Sequence, residues 1–501
     1  MALRRIIPPR QGTLFVVGIL VIVGFLVRLA GIGESLFGDE LFAYEEIHEH
    51  SLAQVVGNVT QGEENSPPLY FVLAWGAMKL GDDTVFIRLP SLVLGSATVA
   101  VVYLLGERMV GRSAALVAAG LTALSPLAVY FSDEARPYAT LMFLLAASTL
   151  ALMSALDTRR KAWWLVFWAS SVAALYTHYT AAPVLAVQGT WALWAHRERA
   201  RDVLVAHVAV AVGLLPWLPR LAEQRRGAQD LELTGAIFPL SLESFARASA
   251  QVVPGYQRMG LAEVPGRLAM WLFGSAVAAA LLGALVQSLR RRAEGTQRSS
   301  APLVLVVALA LATPAGVLLY SLFGADIYTP RHLLASFPAI VVLLAALLTS
   351  LPRPLAAAAT LVTLAALTIG LVRAFDPGRS RPPLKQAAHF IDARAAPEDP
   401  VVEFVFLGAK GLFTRHLAIN FERRHPLYQT GLVRPRSDFW TALDTKSRIF
   451  VVEAWGDPPV RNPLPPEVAK HFELADTHVW RGTASVAVLE FTAKESDATG
   501  S

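Results

Sequence analysis

Long apolar runs separated by short polar turns occupy roughly the first 370 residues. A membrane-crossing helix needs about 20 mostly apolar residues. On that measure the pattern predicts about eleven spans, near 12–31, 86–107, 113–130, 138–156, 162–176, 181–195, 203–219, 267–288, 301–322, 333–350 and 355–372. Two of them, 162–176 and 181–195, are short for a crossing. The first run is long and ends in no small-residue cleavage site, so it reads as a span rather than a cleavable signal peptide. After about residue 373 the pattern changes. Asp376-Pro377-Gly378 and Pro382-Pro383 read as a linker. Residues 384–396 have helical periodicity, with Leu384, Ala388 and Ile391 on one face. Short β-rich runs follow at Val401–Phe406, Arg448–Val452 and Ser485–Phe491. The expected architecture is a polytopic α-helical membrane domain, residues 1–372, followed by a soluble α/β domain, residues 373–501.

Composition agrees with this reading. Of 501 residues, 54% are hydrophobic and 17% charged, and the mean hydropathy is +0.46. A disordered chain, a fibre and an ordinary soluble enzyme are thereby excluded. The absence of cysteine removes disulfides, thiolate metal sites and a cysteine nucleophile. The net charge is +5, and its distribution explains it. Counting ends alternately, Arg4, Arg5, Arg10, Arg108, Arg112, Arg159, Arg160, Lys161, Arg197, Arg199, Arg201, Arg290, Arg291, Arg292, Arg298 and Arg353 all fall on one side. The positive-inside rule makes that side the cytoplasm. The expected location is the plasma (inner) membrane, with the amino terminus inside and the tail outside. The basic residues are membrane topology, and no nucleic acid is expected as a partner.

The other side receives the unusual polar chemistry. The long outer loop, 32–85, carries Asp39 and Glu40 just beyond the first span. Leu41, Tyr44, Ile47 and Leu52 recur near helical spacing, which predicts a helix lying in the membrane interface. Asp39 can cap that helix or act chemically, and the two roles can coexist. Pro67 and Pro68 open an apolar stretch too short to span, as an interfacial or re-entrant helix would be. Glu64 and His48, with neighbouring Glu63 and His50, are weak candidates for a divalent metal. Between two spans, Asp133, Glu134 and Arg136 stand beside Pro137 and Tyr138. They read either as a self-neutralised turn or as the mouth of a polar substrate pocket. His178 sits in another outer turn, where a lone His is ordinarily structural. Arg331 and His332 begin a span on the outer side, and an Arg there can hold a phosphate or carboxylate at headgroup level.

These pieces, in this order, resemble the GT-C glycosyltransferases of the protein-mannosyltransferase type (glycosyltransferase family 39/83-like), whose bacterial members include the aminoarabinose transferases of lipid A. The motifs are Asp39-Glu40, "PPLYFVLAW" from Pro67, "IRLPSLVLG" from Ile87, "LSPLAVYFSDEARPYAT" from Leu124 and "PRHLLASFPAI" from Pro330. The resemblance extends over essentially all of residues 10–350. The resemblance implies an inverting transferase that uses a polyprenyl-phosphate-linked sugar, with an acceptor glycan, lipid or protein and membrane lipid as its other partners. It implies that Asp39 is the general base or acceptor-positioning group and that Glu40 completes the acidic pair. Asp133, Glu134, Arg136 and Tyr138 would hold the sugar and the first loop, and Arg331, beside His332, would lie near the lipid phosphate. One departure is Ser66, where several relatives have Lys or His directly before the Pro-Pro pair. The alternative is a transporter or flippase of lipid-linked saccharide. A transporter should carry ionisable or broken-helix positions near the bilayer midplane, whereas these spans are nearly free of charge at their centres. A non-catalytic receptor would not require so many spans.

Overall fold

A computed structural model describes residues 11–61, 66–158, 160–228, 239–257, 259–293, 301–405, 417–431, 443, 446–454, 464 and 466–494. The chain divides into two compact units: residues up to Ile32 with Phe42–Ala374, and Gly33–Leu41 with everything from Phe375.

The first unit is a multi-pass helical membrane domain. Among the described residues, eight helices are long and apolar enough to cross a bilayer, from Gln11–Leu29 to Arg353–Ala374. The pair Arg112–Leu124 and Pro126–Ser132, bent by 58°, has the form of a broken span or a re-entrant loop. That pair was expected as one straight run. The two short runs form helices Lys161–Leu175 and Ala181–Ala195, of 15 residues each. At a rise of about 1.5 Å per residue they fall short of a hydrocarbon core of about 30 Å. The spans expose apolar side chains outward, such as Phe15, Ile22 and Leu26 on the first helix. Small residues bring helices close: a Cβ on Gly106 would lie 3.2 Å from the Ala115 backbone, as in close helix contacts generally. Several arginines counted above have acidic partners, with Arg108 2.5 Å from Asp157 and Arg112 2.8 Å from Glu107.

The Leu41–Leu52 stretch of the outer loop, expected as one helix, is divided between two. Asp39–Ile47 ends before Glu49, whose φ is 58°, a left-handed value that breaks a helix. Leu52–Gln61 then starts anew. Ser51 and Gln54 exchange bonds at its start, the Ser51 N–H donating to Gln54 Oε1 at 2.9 Å, in a capping box. Leu41, Tyr44 and Ile47 are buried, while Leu52 is exposed. The apolar stretch after Pro67 forms the short helix Leu69–Met78.

The second unit contains a five-stranded sheet: β1 (Val401–Val405), β2 (Leu427–Gly431), β3 (Arg448–Ala454), β4 (Phe472–Trp480) and β5 (Val486–Ala493). Its order is β2-β1-β3-β5-β4. β1 pairs in parallel with β2 and β3, and β5 runs antiparallel to β3 and β4. Alternate side chains feed two cores. Val401, Phe450, Val452 and Val488 pack with Leu384, Ala388 and Ile391 of helix Leu384–Arg394. Val402, Ile449, Val451 and Leu489 pack on the other face with Val468 and Phe472. Burial on both faces makes β1, β3 and β5 read as apolar runs. β4 is a mostly exposed edge with an irregularity between Leu474 and Asp476, a common device at sheet edges.

Candidate active site

In the membrane unit the site is built on the helix break. A residue before proline is driven out of the helical region. Ser125, preceding Pro126, is extended at φ −64° and ψ 118°. Its hydroxyl accepts from Ala128 N–H at 3.3 Å and donates to the Val253 carbonyl at 2.7 Å. The short helix Pro126–Ser132 delivers the chain into the turn 133–137, after which Tyr138 starts the next span.

Asp133, Glu134, Arg136 and Tyr138 are all buried in this turn, none more than 7% exposed. Burial of three ionisable groups is costly unless they are held. Tyr130 donates to Glu134 Oε1 at 3.0 Å, and Ser91 donates to the Arg136 carbonyl at 3.0 Å. Gly31 makes room for Asp133: a Cβ there would lie 2.2 Å from Asp133 Oδ2. Arg28, fully buried in the last turn of the first helix, braces the base of the motif. It donates to the carbonyls of Gly24 (2.9 Å), Ala123 (3.2 Å) and Thr122 (2.9 Å), and to Ser132 Oγ (3.0 Å).

Three rings gather beside the turn. The Tyr138 centroid lies 5.4 Å from that of His178 and 6.4 Å from that of His332, and the two imidazoles are 5.7 Å apart. His178 Nδ1 accepts from Thr180 N–H at 3.2 Å, so its neutral form carries the proton on Nε2. Burial holds the His178 pKa well below the ordinary value, and the positive charges of His332, Arg136 and Arg331 push the same way. His332 Nδ1 lies 2.5 Å from the Ile327 carbonyl. The structure thus brings Asp133, Glu134, Arg136, Tyr138, Arg331 and His332 into one region, cationic on the His178 side.

The Pro-Pro element is anchored nearby. The Leu69 N–H donates to the Tyr176 carbonyl at 2.8 Å, and Gln224 donates to the Ser66 carbonyl at 3.2 Å. Tyr179 donates to Gln224 Oε1 at 2.5 Å. Glu64 lies outside the described residues. His48 lies 3.0 Å from Asp83 and stacks on Tyr44. No group of three or more His, Asp or Glu side chains converges as a metal site among the described residues.

This architecture is shared with solved structures. ArnT from Cupriavidus metallidurans bound to undecaprenyl phosphate is similar at a TM-score of 0.55 and 15% identity, over 95% of this chain and 97% of that one. The chain has the GT-C fold. The archaeal oligosaccharyltransferase AglB from Archaeoglobus fulgidus, in complex with an inhibitory peptide and a dolichol-phosphate, is similar at a TM-score of 0.51 and 14% identity, over 98% of this chain and 75% of that one. Residues 65–222 match the family described as dolichyl-phosphate-mannose-protein mannosyltransferase. No curated protein matches the sequence. The matched stretch of the GT-C chain contains Ser66-Pro67-Pro68, the Asp133–Tyr138 turn and His178.

The other acidic element of this GT-C chain, Asp39-Glu40, is grouped with the second unit. Gly38 has φ 60°, the left-handed region that favours glycine. Asp39 follows as the first helical residue, half-buried, rather than as the cap before the helix. Glu40 is fully buried. Its Oε2 accepts from Phe37 N–H at 3.2 Å and lies 3.4 Å from Arg381 Nε. Sequence reasoning missed Arg28, Tyr130, Gln224 and Arg381. Arg28 had one local signal, a lone charge inside an apolar run, while the others are defined by distant partners.

Proposed function

We propose that the protein is an inverting membrane glycosyltransferase that moves a sugar from a polyprenyl-phosphate donor to an acceptor hydroxyl on the outer face. The observation carrying this reading is the buried Asp133–Glu134–Arg136–Tyr138 turn beside His178, Arg331 and His332, within a GT-C fold. The similar structures bear on it, since ArnT is bound to undecaprenyl phosphate and AglB is in complex with a dolichol-phosphate. The same reading puts the amino terminus in the cytoplasm, from the one-sided basic ends.

The chemistry follows from charge flow. The acceptor oxygen attacks the anomeric carbon from the face opposite the phosphate. The bond from that carbon to the phosphate oxygen breaks, and its electron pair leaves with the polyprenyl phosphate. The acceptor proton passes to the Asp39 carboxylate, the general base by family resemblance. Arg331 and Arg136 offset the charge that develops on the leaving phosphate, with His332 beside Arg331. Neutral His178 supplies an Nε2 hydrogen bond without adding charge. Asp133 and Glu134 orient the sugar hydroxyls, and Tyr138 packs beside them. Glu40 shapes the acidic turn from within.

The test uses purified protein in lipid nanodiscs with a panel of undecaprenyl-phosphate-linked sugars and candidate glycan, lipid and peptide acceptors. The expected result is release of undecaprenyl phosphate with sugar appearing on one acceptor class, with inverted anomeric configuration. Vesicle-to-vesicle movement of intact lipid-linked sugar without any transfer would replace this reading with the transporter.

A further inference from the structure

The turn that carries Asp39 owes its shape to a residue far along the chain. Arg381 lies in the linker, directly before Pro382-Pro383 and the helix Leu384–Arg394, and is itself buried, at 8% exposure. Its backbone N–H donates to Glu34 Oε2 at 3.2 Å, and its Nη1 lies 3.4 Å from the same oxygen. Its Nε faces Glu40 Oε2 at 3.4 Å. One guanidinium therefore joins two carboxylates six positions apart, on either side of Gly38 and Asp39. A second tie runs parallel. The Lys385 N–H, in the first turn of the helix Leu384–Arg394, donates to Ser35 Oγ at 3.0 Å, so segment 33–41 satisfies a helix end that would otherwise lack an acceptor. The arginine is in turn fixed to the sheet. The Thr483 N–H donates to the Ser380 carbonyl at 2.7 Å, and a Cβ on Gly482 would lie 3.0 Å from the Arg381 carbonyl oxygen.

We infer that Arg381 is a positioning residue for the proposed base. By bridging Glu34 and Glu40 it holds the 34–40 turn in the one conformation that presents Asp39, and the α/β unit thereby governs turnover without touching substrate. The inference rests on the glycosyltransferase reading above. A planar fork suits this bridge, because its donors diverge at fixed angles, whereas a lysine ammonium is a point charge that satisfies one carboxylate well and the other poorly.

The test compares the unsubstituted full-length protein, Arg381→Lys and Arg381→Ala in nanodiscs. Lysine keeps a cation beside the buried Glu40, so that variant remains informative where alanine fails to fold. Hydrogen exchange of amides in 34–41 should rise about tenfold in Arg381→Lys and more in Arg381→Ala, as expected when a local opening becomes cheaper. Turnover should fall about tenfold or more in step with it, since small displacements of a catalytic group are costly. The donor KM and the retention of undecaprenyl phosphate should stay within about twofold. Unchanged exchange would overturn the inference, as would freer exchange with unchanged turnover, or an equal loss of donor binding and turnover. If the unsubstituted protein transfers no lipid-linked sugar, the glycosyltransferase reading falls and the positioning role falls with it. The exchange data would then still show whether Arg381 orders the turn, which keeps the two failures distinct.

Discussion

Gly31→Ala tests the second acidic motif without altering any charge. The added Cβ would lie 2.2 Å from Asp133 Oδ2 and 3.1 Å from its Cγ. Van der Waals contact begins near 3.4 Å, so the carboxylate must retreat by roughly 1 Å, a displacement large enough to cost about a hundredfold in rate when the group positions substrate. The turn it sits in is anchored on two sides, by Arg28 on Ser132 and by Ser91 on the Arg136 carbonyl, and Asp133 is 2% exposed. The strain of overpacking such a site is about 1–3 kcal/mol. We therefore expect Gly31→Ala to fold, to lose a few degrees of thermal stability in detergent, and to lose about two orders of magnitude in kcat. Gly18→Ala, in the helix Gln11–Leu29 that precedes Gly31 and where a Cβ meets nothing within 4 Å, is the control and should match the unsubstituted protein. The assay is transfer from a radiolabelled undecaprenyl-phosphate sugar under single-turnover conditions. Full turnover by Gly31→Ala would mean that the position of Asp133 is immaterial to the reaction and would remove it from the sugar site.

Three further outcomes are expected. Asp39→Asn should retain donor binding and fold normally but lower turnover by about two to four orders of magnitude; near-normal transfer by this variant would take Asp39 out of the mechanism, because the amide keeps the side chain's size and removes its basicity. Arg331→Ala should weaken retention of undecaprenyl phosphate, read by native mass spectrometry, more than it raises the acceptor KM, since its charge is assigned to the leaving group; the reverse pattern would place it on the acceptor side. His178 is neutral when folded and has a pKa well below its unfolded value. Its contribution to stability is therefore complete above the unfolded value of about 6.5 and is lost as pH falls below it. His178→Gln should flatten the decline in thermal stability between pH 7 and pH 5, and an identical decline in both proteins would show that the acid sensitivity lies elsewhere.

The membrane-crossing helices are legible because lipid imposes a length and an all-round apolar surface. The helix Gln11–Leu29 exposes Leu14, Phe15, Ile22 and Leu26, and its bounds lie close to the apolar run that announces it. The break at Pro126 was also written locally, as Ser-Pro, yet the apolar run continues through it and hides the turn. In the sheet, the strands buried on both faces announce themselves, while β4, reading Phe472-Glu-Leu-Ala-Asp-Thr-His-Val-Trp480, does not. Its strand character comes from pairing with β5, while its own side chains are mostly exposed and show no apolar run. The acidic motifs stand out for a similar reason in reverse: Asp133, Glu134 and Arg136 interrupt apolar runs, and such interruptions are expensive unless used.

What stayed hidden is the support beneath those motifs. Arg28 lies 104 residues from Ser132 and Arg381 lies 347 residues from Glu34. Each is one basic residue among many until the fold supplies its partner. Arg28 is a lone charge in an apolar run and Arg381 a basic residue beside Pro382-Pro383, and neither local setting names a partner. The difference is burial: at 0% and 8% exposure neither can be a solvated charge, and a buried guanidinium must find acceptors for its donors. The acceptors they found are Ser132, one residue before Asp133, and Glu40, one residue after Asp39. Each acidic motif singled out from sequence thus has its own buried arginine bonded to the adjacent residue. A reaction that depends on two carboxylates in fixed positions would require such bracing at both.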